Sequence, residues 1–264
     1  MTQSSFFLNQ IEKFLRSNIY LFIASRYLIG RFLPKIIYDN DFKILKNIKK
    51  NILLDKKKVI LDIGGNDGMS YHAIRKFIKG IKIISFEPIY HNFIHLKKIK
   101  KKDNLYNAYD LALSNKNSKS KLIIPFFKKH ALTQLAGLDI KGVKKRLKNS
   151  LFQKNLIKKI CYKNVSIISR KLDFFNLKPS FIKIDIEGHE YECILGGLKT
   201  IKQFKPIIMV EYDAIICNKI YKILKKYNYE KYFFERKNSK IQKHKNENVF
   251  NIFFIPKKIK YDFN

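Results

Sequence analysis

The sequence predicts a doubly wound α/β fold, in which a mostly parallel seven-stranded sheet ends in an antiparallel hairpin. Short runs of β-branched and aromatic residues alternate with helical patterns, which is typical of parallel strands joined by crossover helices. Glycines follow the first run, and acids stand at the ends of several others. The chain has 264 residues, of which 46% are hydrophobic. This is enough to build one substantial core.

The first half of the predicted sheet contains three strands. VILDIG at 59–64 is the first strand, and the helix that follows it ends at a glycine. IKIISFEP is the second strand and closes at Pro88, because proline cannot donate to a sheet ladder. The elements of this half are a strand at 59–64, a helix at 71–80, a strand at 81–88, a helix at 90–102 and a strand at 105–113.

The second half adds the remaining strands and the terminal hairpin. FIKIDIEG is an apolar run that ends in acids and a glycine, and PIIMVEYD is similar. The last two strands flank a polar loop, which predicts an antiparallel pair. The elements are a turn plus a strand at 114–127, a segment at 165–175 that leads into the fourth core strand at 181–188, a helix at 189–201, the fifth core strand at 206–213, a helix at 218–228, and hairpin strands at 229–236 and 249–256.

Three regions of the chain are expected to be distinct. Residues 1–56 form an N-terminal helical extension, and residues 57–264 form the α/β domain. A lysine-rich helical insert at 128–163 interrupts that domain, where a substrate lid could sit. The apolar stretch at 18–37 contains two arginines, so it is a poor membrane-spanning candidate. It is either an amphipathic helix packed on the domain or a helix lying on a membrane surface.

The net charge of +34 raises the question of a nucleic-acid partner. Lysine outnumbers arginine 48 to 7, whereas nucleic-acid readers favour the planar arginine fork. Lysine also shares A/T-rich codons with the abundant Ile, Asn, Phe and Tyr. Nucleic acid is therefore the less favoured partner, and an anionic membrane surface or an acidic glycan remains open. The oligomeric state stays open as well.

The three cysteines stand far apart, without a CxxC pair. This spacing argues against a disulfide framework and against a structural zinc site. It predicts a cytoplasmic location, with peripheral attachment at the inner membrane face through the N-terminal helix as an open addition.

The glycine cluster in VILDIGGNDGMS predicts a ligand that approaches bare backbone at a helix N-terminus. No Gly-Lys-Ser/Thr follows, which excludes a P-loop, and the GxGxxG dinucleotide fingerprint is not met. Asp62 stands before the glycines, where a carboxylate attracts an ammonium but repels a pyrophosphate. Glu87 ends the second strand, where a carboxylate can accept the hydroxyls of a ribose. Together they point to S-adenosylmethionine (SAM).

Six segments carry a resemblance to a known family. In chain order they are LDIGGNDG, ISFEP, NAYDLALSN, RKLDFF, FIKIDIEGHEYECILGG and PIIMVEYD. This ordered set resembles the FkbM-type SAM-dependent methyltransferases over about residues 57–213. Two positions depart from the family pattern. Gly65 stands where alanine is usual, and Asp67 stands where isoleucine or valine is common.

The resemblance implies a Rossmann-like class I methyltransferase fold and methyl transfer from SAM, usually to a hydroxyl oxygen. On this chain it places the methionine half of SAM beside the glycine cluster, the ribose beside Glu87, and the adenine beside the loop after the third strand. The implied cofactor residues are Asp62, Gly64, Gly65, Asn66, Gly68, Glu87, Pro88, Asp110 and Ala112.

Acids at the ends of the fourth and fifth strands are the candidate catalytic groups. Asp185 and Glu187 flank one residue, so alternation points both side chains the same way if the strand is still regular there. Glu211 ends the neighbouring strand. His189 is the best base by its ordinary pKa, and Asp185 and Glu187 are its rivals. For Glu190 we expect a helix-capping or salt-bridge role.

A divalent ion at these strand ends is an open alternative. Asp185 and Glu211, with Asp213, could bind one through oxygen ligands. A metal-free acid cluster that binds sugar hydroxyls is equally consistent, and we assign no metal residue. The spacing of His91 and His95 predicts a helix face, and His130 and Thr133 in the insert could contact the acceptor.

The sequence thus predicts a SAM-dependent O-methyltransferase that acts on a glycan or a small molecule. A nicotinamide-dependent oxidoreductase is the first alternative, but Asp62 and the glycine spacing are wrong for it. A basic nucleic-acid-binding or nucleic-acid-modifying protein is the second. The fourth strand ends in Asp-Ile-Glu-Gly rather than the Asn/Asp-Pro-Pro-aromatic motif of amino-group methylation, and no Pro-Cys occurs.

Overall fold

The computed structural model describes residues 18–24, 39–53, 55, 57–150 and 152–257. The N-terminal stretch predicted to be amphipathic lies outside the described residues after residue 24, and residues 19–24 are helical. The strands are β1 (Val59–Ile63), β2 (Lys82–Phe86), β3 (Tyr106–Tyr109), β4 (Ala112–Leu113), β5 (Ser118–Phe127), β6 (His130–Ala131), β7 (Ile160–Arg170), β8 (Pro179–Ile184), β9 (Ile207–Glu211), β10 (Tyr229–Glu235), β11 (Lys240–Lys243) and β12 (Asn251–Pro256).

The described part of the chain contains eight α-helices besides the helical residues 19–24. They are α1 (Ile44–Leu53), α2 (Met69–Phe77), α3 (Tyr90–Lys100), α4 (Ile140–Asn149), α5 (Lys154–Ile157), α6 (Glu190–Gly196), α7 (Leu198–Phe204) and α8 (Ala214–Leu224). A 3-10 turn at Leu172–Phe175 precedes β8. Within the described residues, none of the helices has the length and apolar sequence needed to cross a bilayer.

The large sheet has the order β11-β10-β12-β9-β8-β1-β2-β3. The five strands from β9 to β3 are parallel, whereas β12 runs antiparallel to β9 and β10 antiparallel to β12. Strand order reverses on either side of β1, because β2 follows on one side and β8 on the other. The predicted doubly wound α/β class is therefore confirmed, with its ligand edge at the carboxyl ends of β1, β2, β8 and β9.

Two strand predictions need correction. The sheet has eight strands rather than seven, because the predicted polar loop contains β11. Ile241 of β11 is buried and pairs with Phe234 of β10, and this burial holds a polar segment in the sheet. The predicted third strand at 105–113 divides into β3 and β4. β4 leaves the large sheet and pairs with the end of β7.

The central strands of the large sheet are buried on both faces, as parallel strands covered by helices require. All five residues of β1 and all six of β8 are buried. Alternate side chains enter two separate cores. Ile60, Ile83 and Phe181 pack on one face, and Leu61 and Ile182 pack on the other. The continuous apolar runs in the sequence therefore reflect two-sided burial.

The chain divides into two compact units. The larger comprises residues 38–119 and 168–264 and contains the large sheet. The smaller contains Ser120–Ile167 and the described residues of 1–37. Its core includes Phe127, Val143 and Leu147. The insert predicted at 128–163 lies within this smaller unit and carries β6, α4 and α5. The domain boundaries predicted at 56/57 and around the insert stay predictions.

Candidate functional site

The loop after β1 is built so that its backbone comes close to the neighbouring strands. Gly64 has φ +82°, and a Cβ placed on it would overlap the backbone carbonyl oxygen of Asp185. The N–H groups of Gly64 and Gly65 both donate to the carbonyl oxygen of Phe86, over 3.0 and 3.2 Å. Gly68 has φ +89° and is the N-cap of α2. Only glycine satisfies the first of these positions without moving the end of β8.

Asp62 lies on β1 and has no exposed surface. Its carboxylate accepts hydrogen bonds from the hydroxyls of Ser70, over 2.7 Å, and Ser85, over 2.8 Å. The ammonium of Lys183 stands 3.6 Å from Oδ1. The carboxylate predicted to bind a ligand ammonium is therefore already surrounded by donors of the chain itself, one from α2, one from β2 and one from β8.

Glu87 joins the loop after β2 to the glycine loop. Its Oε2 accepts from the N–H of Asn66 over 2.8 Å, and its Oε1 accepts from the N–H of Ile89 over 2.9 Å. Asn92 of α3 donates to the side chain of Asn66 over 3.0 Å. Burial raises the pKa of Glu87 to about 7, although the two backbone N–H groups oppose this shift. The side chain is 4% exposed, so its charge depends on these donors.

The residues predicted to lie near an adenine follow at the end of β3. The N–H of Glu87 donates to the carbonyl oxygen of Tyr109 over 3.0 Å, so Asp110 stands at the same sheet edge as Glu87. The ring of Tyr109 stacks on Phe86 at 5.3 Å. Asp110 is exposed and Ala112 is half-buried, as is Pro88.

Lys183 is the residue that the sequence analysis missed. Its Nζ donates to the carbonyl oxygen of Gly64 over 3.0 Å and lies 3.4 Å from Oδ2 of Asp185. With Asp62 at 3.6 Å, a carbonyl oxygen and two carboxylates surround the ammonium. Burial alone would lower the pKa of Lys183, but the negative charges of Asp185 and Asp62 outweigh it and raise the pKa. A lysine inside the apolar run FIKIDIEG was the available signal.

An acidic cluster lies at the ends of β8 and β9. Oxygen atoms of Asp185, Glu187 and Glu211 all lie within 4.8 Å of one another. Glu187 has φ +56°, a strained conformation for a residue with a Cβ. Desolvation, and then the charges of Asp185 and Glu190, raise the pKa of Glu211 to about 7. The cluster can accept hydrogen bonds from hydroxyl groups or supply oxygen ligands to a hard cation.

Asp213, the third residue of the metal alternative, has another role. Its side chain accepts from the N–H groups of Ile215 and Ile216, both over 2.9 Å, and so caps α8. Glu187 stands in its place within the acidic cluster.

His189 lies beside the loop after β4 as well as near the acidic strand end. Its Nε2 is 2.9 Å from the hydroxyl of Ser114, and its Nδ1 is 3.6 Å from Glu192. Burial lowers the pKa of His189, and Glu192 opposes the shift. Glu190 is buried and accepts from the N–H groups of Ile186 and Gly188, both over 3.1 Å, so its carboxylate holds the loop that precedes α6.

The remaining histidines lie on other elements. His91 and His95 are exposed on α3 with their rings 5.1 Å apart, which agrees with a helix face. His130 on β6 and Thr133 belong to the smaller unit. Their predicted contact with an acceptor stays a prediction.

Comparison with known proteins gives one family. The family model described as the methyltransferase FkbM domain matches residues 62–231, which is more than half of the chain. No curated protein matches the chain.

Several solved structures are similar at low identity. A crystal structure of methyltransferase FkbM from Methylobacillus flagellatus KT has a TM-score of 0.47 and 15% identity, and the match covers 75% of this chain and 44% of that one. This chain therefore spans less than half of that relative. A SAM-dependent O-methyltransferase from Thermotoga maritima has a TM-score of 0.40 and 9% identity, and the match covers 90% of this chain and 72% of that one. A precorrin-6y C5,15-methyltransferase from Geobacter metallireducens GS-15 has a TM-score of 0.38 and 10% identity, and the match covers 80% of this chain and 83% of that one.

Proposed function

Because the chain belongs to the FkbM methyltransferase family, we propose that it transfers a methyl group from SAM to a hydroxyl oxygen of a glycan or a small molecule. The observation that carries this proposal is the meeting of three strand ends. The glycine loop after β1, Lys183 of β8 and the carboxyl groups of Asp185 and Glu211 form one charged edge. We place the enzyme in the cytoplasm, which the three free cysteines support.

The residues present fit the cofactor. Gly64 lets the loop backbone lie directly against the end of β8, and Glu87 is a buried carboxylate whose Oε2 accepts one backbone hydrogen bond and retains capacity for another. Glu87 would hold the ribose diol, and the loop from Gly64 to Gly68, above Asp62, would hold the methionine half. Asp110 and Ala112 would border the adenine. Bound SAM supplies a methyl group on a positively charged sulfur.

An attacking hydroxyl must lose its proton, and the acidic cluster accepts that proton as the general base. A base works best when its pKa is close to the working pH. Glu211, with a pKa of about 7, meets this condition, and Asp185 lies beside it. Glu187 would bind a neighbouring hydroxyl of the acceptor. His189 remains a second candidate, but its Nε2 already contacts Ser114.

Lys183 supports the metal-free form of the site. Its ammonium stands 3.4 Å from Asp185 and supplies positive charge where a divalent ion would bind. A second cation at the same carboxylate would be repelled. We therefore propose that the acidic cluster binds acceptor hydroxyls directly.

Calorimetric titration of the purified protein with SAM, S-adenosylhomocysteine and NAD tests the cofactor. We expect saturable binding of the first two and none of NAD. Incubation with methyl-labelled SAM and a panel of nucleotide sugars, with and without a chelator, tests the acceptor class and the metal. Label in an alkali-stable ether on a sugar, unaffected by the chelator, supports the proposal. Binding of NAD without SAM would overturn it.

A further inference from the structure

The smaller unit concentrates positive charge beyond the excess of the whole chain. Residues 120–167 contain twelve Lys and Arg and a single acid, whereas residues 38–119 and 168–264 contain 38 basic and 19 acidic residues. Codon bias raises lysine throughout a chain, but it does not remove acids from one segment only. The single acid, Asp139, is engaged as the N-cap of α4, where it accepts from the N–H groups of Lys141 and Gly142.

Helix α4 orders part of this charge into one stripe. Lys141, Lys144, Lys145 and Lys148 are all exposed, and their spacing places them on one side of the helix. Val143 and Leu147 are buried in the core of the unit, so they fix which side faces water. Leu138, just before the helix, is 39% exposed. The stripe is therefore a fixed basic surface with an apolar residue at its end.

We propose that this α4 stripe binds the anionic headgroups of a phospholipid surface. Clusters of four to eight lysines beside an apolar side chain suit such a surface, which attracts point charges without requiring planar hydrogen bonding. Residues 120–167 contain eleven lysines and one arginine, Arg146, which donates to the carbonyl oxygen of Ala136. A nucleic-acid surface would favour arginine and stacked aromatic rings, so it is the weaker fit. This inference is independent of the proposed methyl transfer.

Vesicle sedimentation tests the proposal with two variants of equal charge. The first replaces Lys141, Lys144, Lys145 and Lys148 with glutamine. The control replaces Lys79, Lys98, Lys101 and Lys102, which are exposed on the larger unit, in the same way. We expect the unmodified protein to bind phosphatidylcholine vesicles that contain phosphatidylglycerol, and to be released by salt. The α4 variant should bind at least about tenfold more weakly, and the control close to normally.

Three outcomes would overturn the proposal. Equal losses in both variants would mean that total charge, rather than the stripe, determines binding. Equal binding to vesicles of phosphatidylcholine alone would remove the role of anionic headgroups. Absence of vesicle binding together with α4-dependent binding of a single-stranded RNA would assign the stripe to nucleic acid. Circular dichroism of both variants confirms that these exposed substitutions leave the fold intact.

Discussion

At the scale of single residues, Lys183 has the most consequence for stability, because it is the cation between two carboxylates of the site. Replacing it with methionine leaves the fully buried Asp62 with only two hydroxyl donors. Removing one partner of a buried pair costs about 3–5 kcal/mol, since the remaining charge has no compensation. We expect this loss in free energy of unfolding to be largest below the unfolded pKa of lysine, where the ammonium of the unmodified protein is charged, and to shrink as the pH rises through the higher folded pKa.

Urea denaturation at several pH values measures this loss. Lys183→Arg keeps the charge and should recover part of the stability, although its planar fork fits the carbonyl oxygen and the two carboxylates around it less well than the ammonium does. The raised pKa of Lys183 means that its own contribution is present below its unfolded pKa and is lost only as the pH rises through the higher folded pKa. A loss of stability that is equal at every pH would contradict the charge argument.

Glu87 is the residue on which cofactor affinity should depend. We expect Glu87→Ala to weaken SAM binding by about 1–3 kcal/mol, because the hydrogen bonds to the ribose are lost. The carboxylate is the form that accepts these bonds, and its pKa is about 7, so affinity should increase as the pH rises through neutrality. The variant should lose that increase. Calorimetry across this pH range measures the SAM affinity of both proteins. Unchanged affinity in the variant would refute the role of Glu87 in binding the ribose.

The raised pKa of Glu87 also affects the stability of the fold, and this effect has the opposite pH dependence to that of SAM affinity. The folded protein binds this proton more tightly than the unfolded chain, whose pKa is near 4.5. Stability from this group is therefore present at acid pH and is lost as the pH rises to about 7. The site keeps a carboxylate whose ionised form is destabilising in the free protein, which is typical of a functional position.

Glu211 should set the pH dependence of methyl transfer. With a pKa of about 7, its base form increases through neutral pH, and the rate should increase with it. Glu211→Gln should flatten this profile and lower the rate, while SAM affinity changes less than severalfold. His189→Ala should keep the profile, because the histidine pKa is lowered and its ring contacts Ser114. The opposite result, a flat profile for His189→Ala alone, would assign the base to His189.

At the scale of elements, the turn from β1 into α2 depends on backbone shape, and two glycines provide a matched comparison. Gly64 and Gly80 have nearly the same φ, +82° and +78°, but a Cβ at Gly64 would overlap Asp185 while one at Gly80 would have no atom within 4 Å. Gly80→Ala should cost about 1 kcal/mol from the backbone conformation alone. Gly64→Ala should cost at least about 3 kcal/mol.

Thermal or urea unfolding of the two variants checks this difference. Gly64→Ala should also lose SAM binding, because the loop must move away from β8, whereas Gly80→Ala should bind normally. Equal destabilisation by the two substitutions would mean that the end of β8 adapts to a side chain at Gly64.

The elements also show what the sequence could predict. Apolar runs with glycines and acids at their ends identified β1, β2, β8 and β9, because two-sided burial leaves a direct signature. β11 was missed, since one buried isoleucine within a polar loop gives no periodic pattern. The role of Lys183 and the contact between Ser114 and His189 depend on which residues the folded sheet brings together. Ser114 and His189 are 75 residues apart in the sequence, so no local pattern predicts their contact.

At the scale of the whole molecule, the net charge of +34 opposes the compact state, because like charges are closer in the folded chain than in the unfolded one. Ions screen this repulsion over about 8 Å at physiological ionic strength. We therefore expect the melting temperature to increase with added sodium chloride. The buried Lys183–Asp62 pair is screened far less than exposed charges, so its contribution should persist in salt.

Differential scanning calorimetry over a series of sodium chloride concentrations measures this effect, and a neutral osmolyte such as sucrose is the control for general exclusion from the surface. The salt response should be smaller at a pH close to the sequence pI of about 10.0, where fewer lysines are charged. A melting temperature that falls with salt would show that the exposed acids form attractive pairs with the lysines strong enough to outweigh the repulsion. The molecule would then be stabilised by the arrangement of its charges, despite their sum.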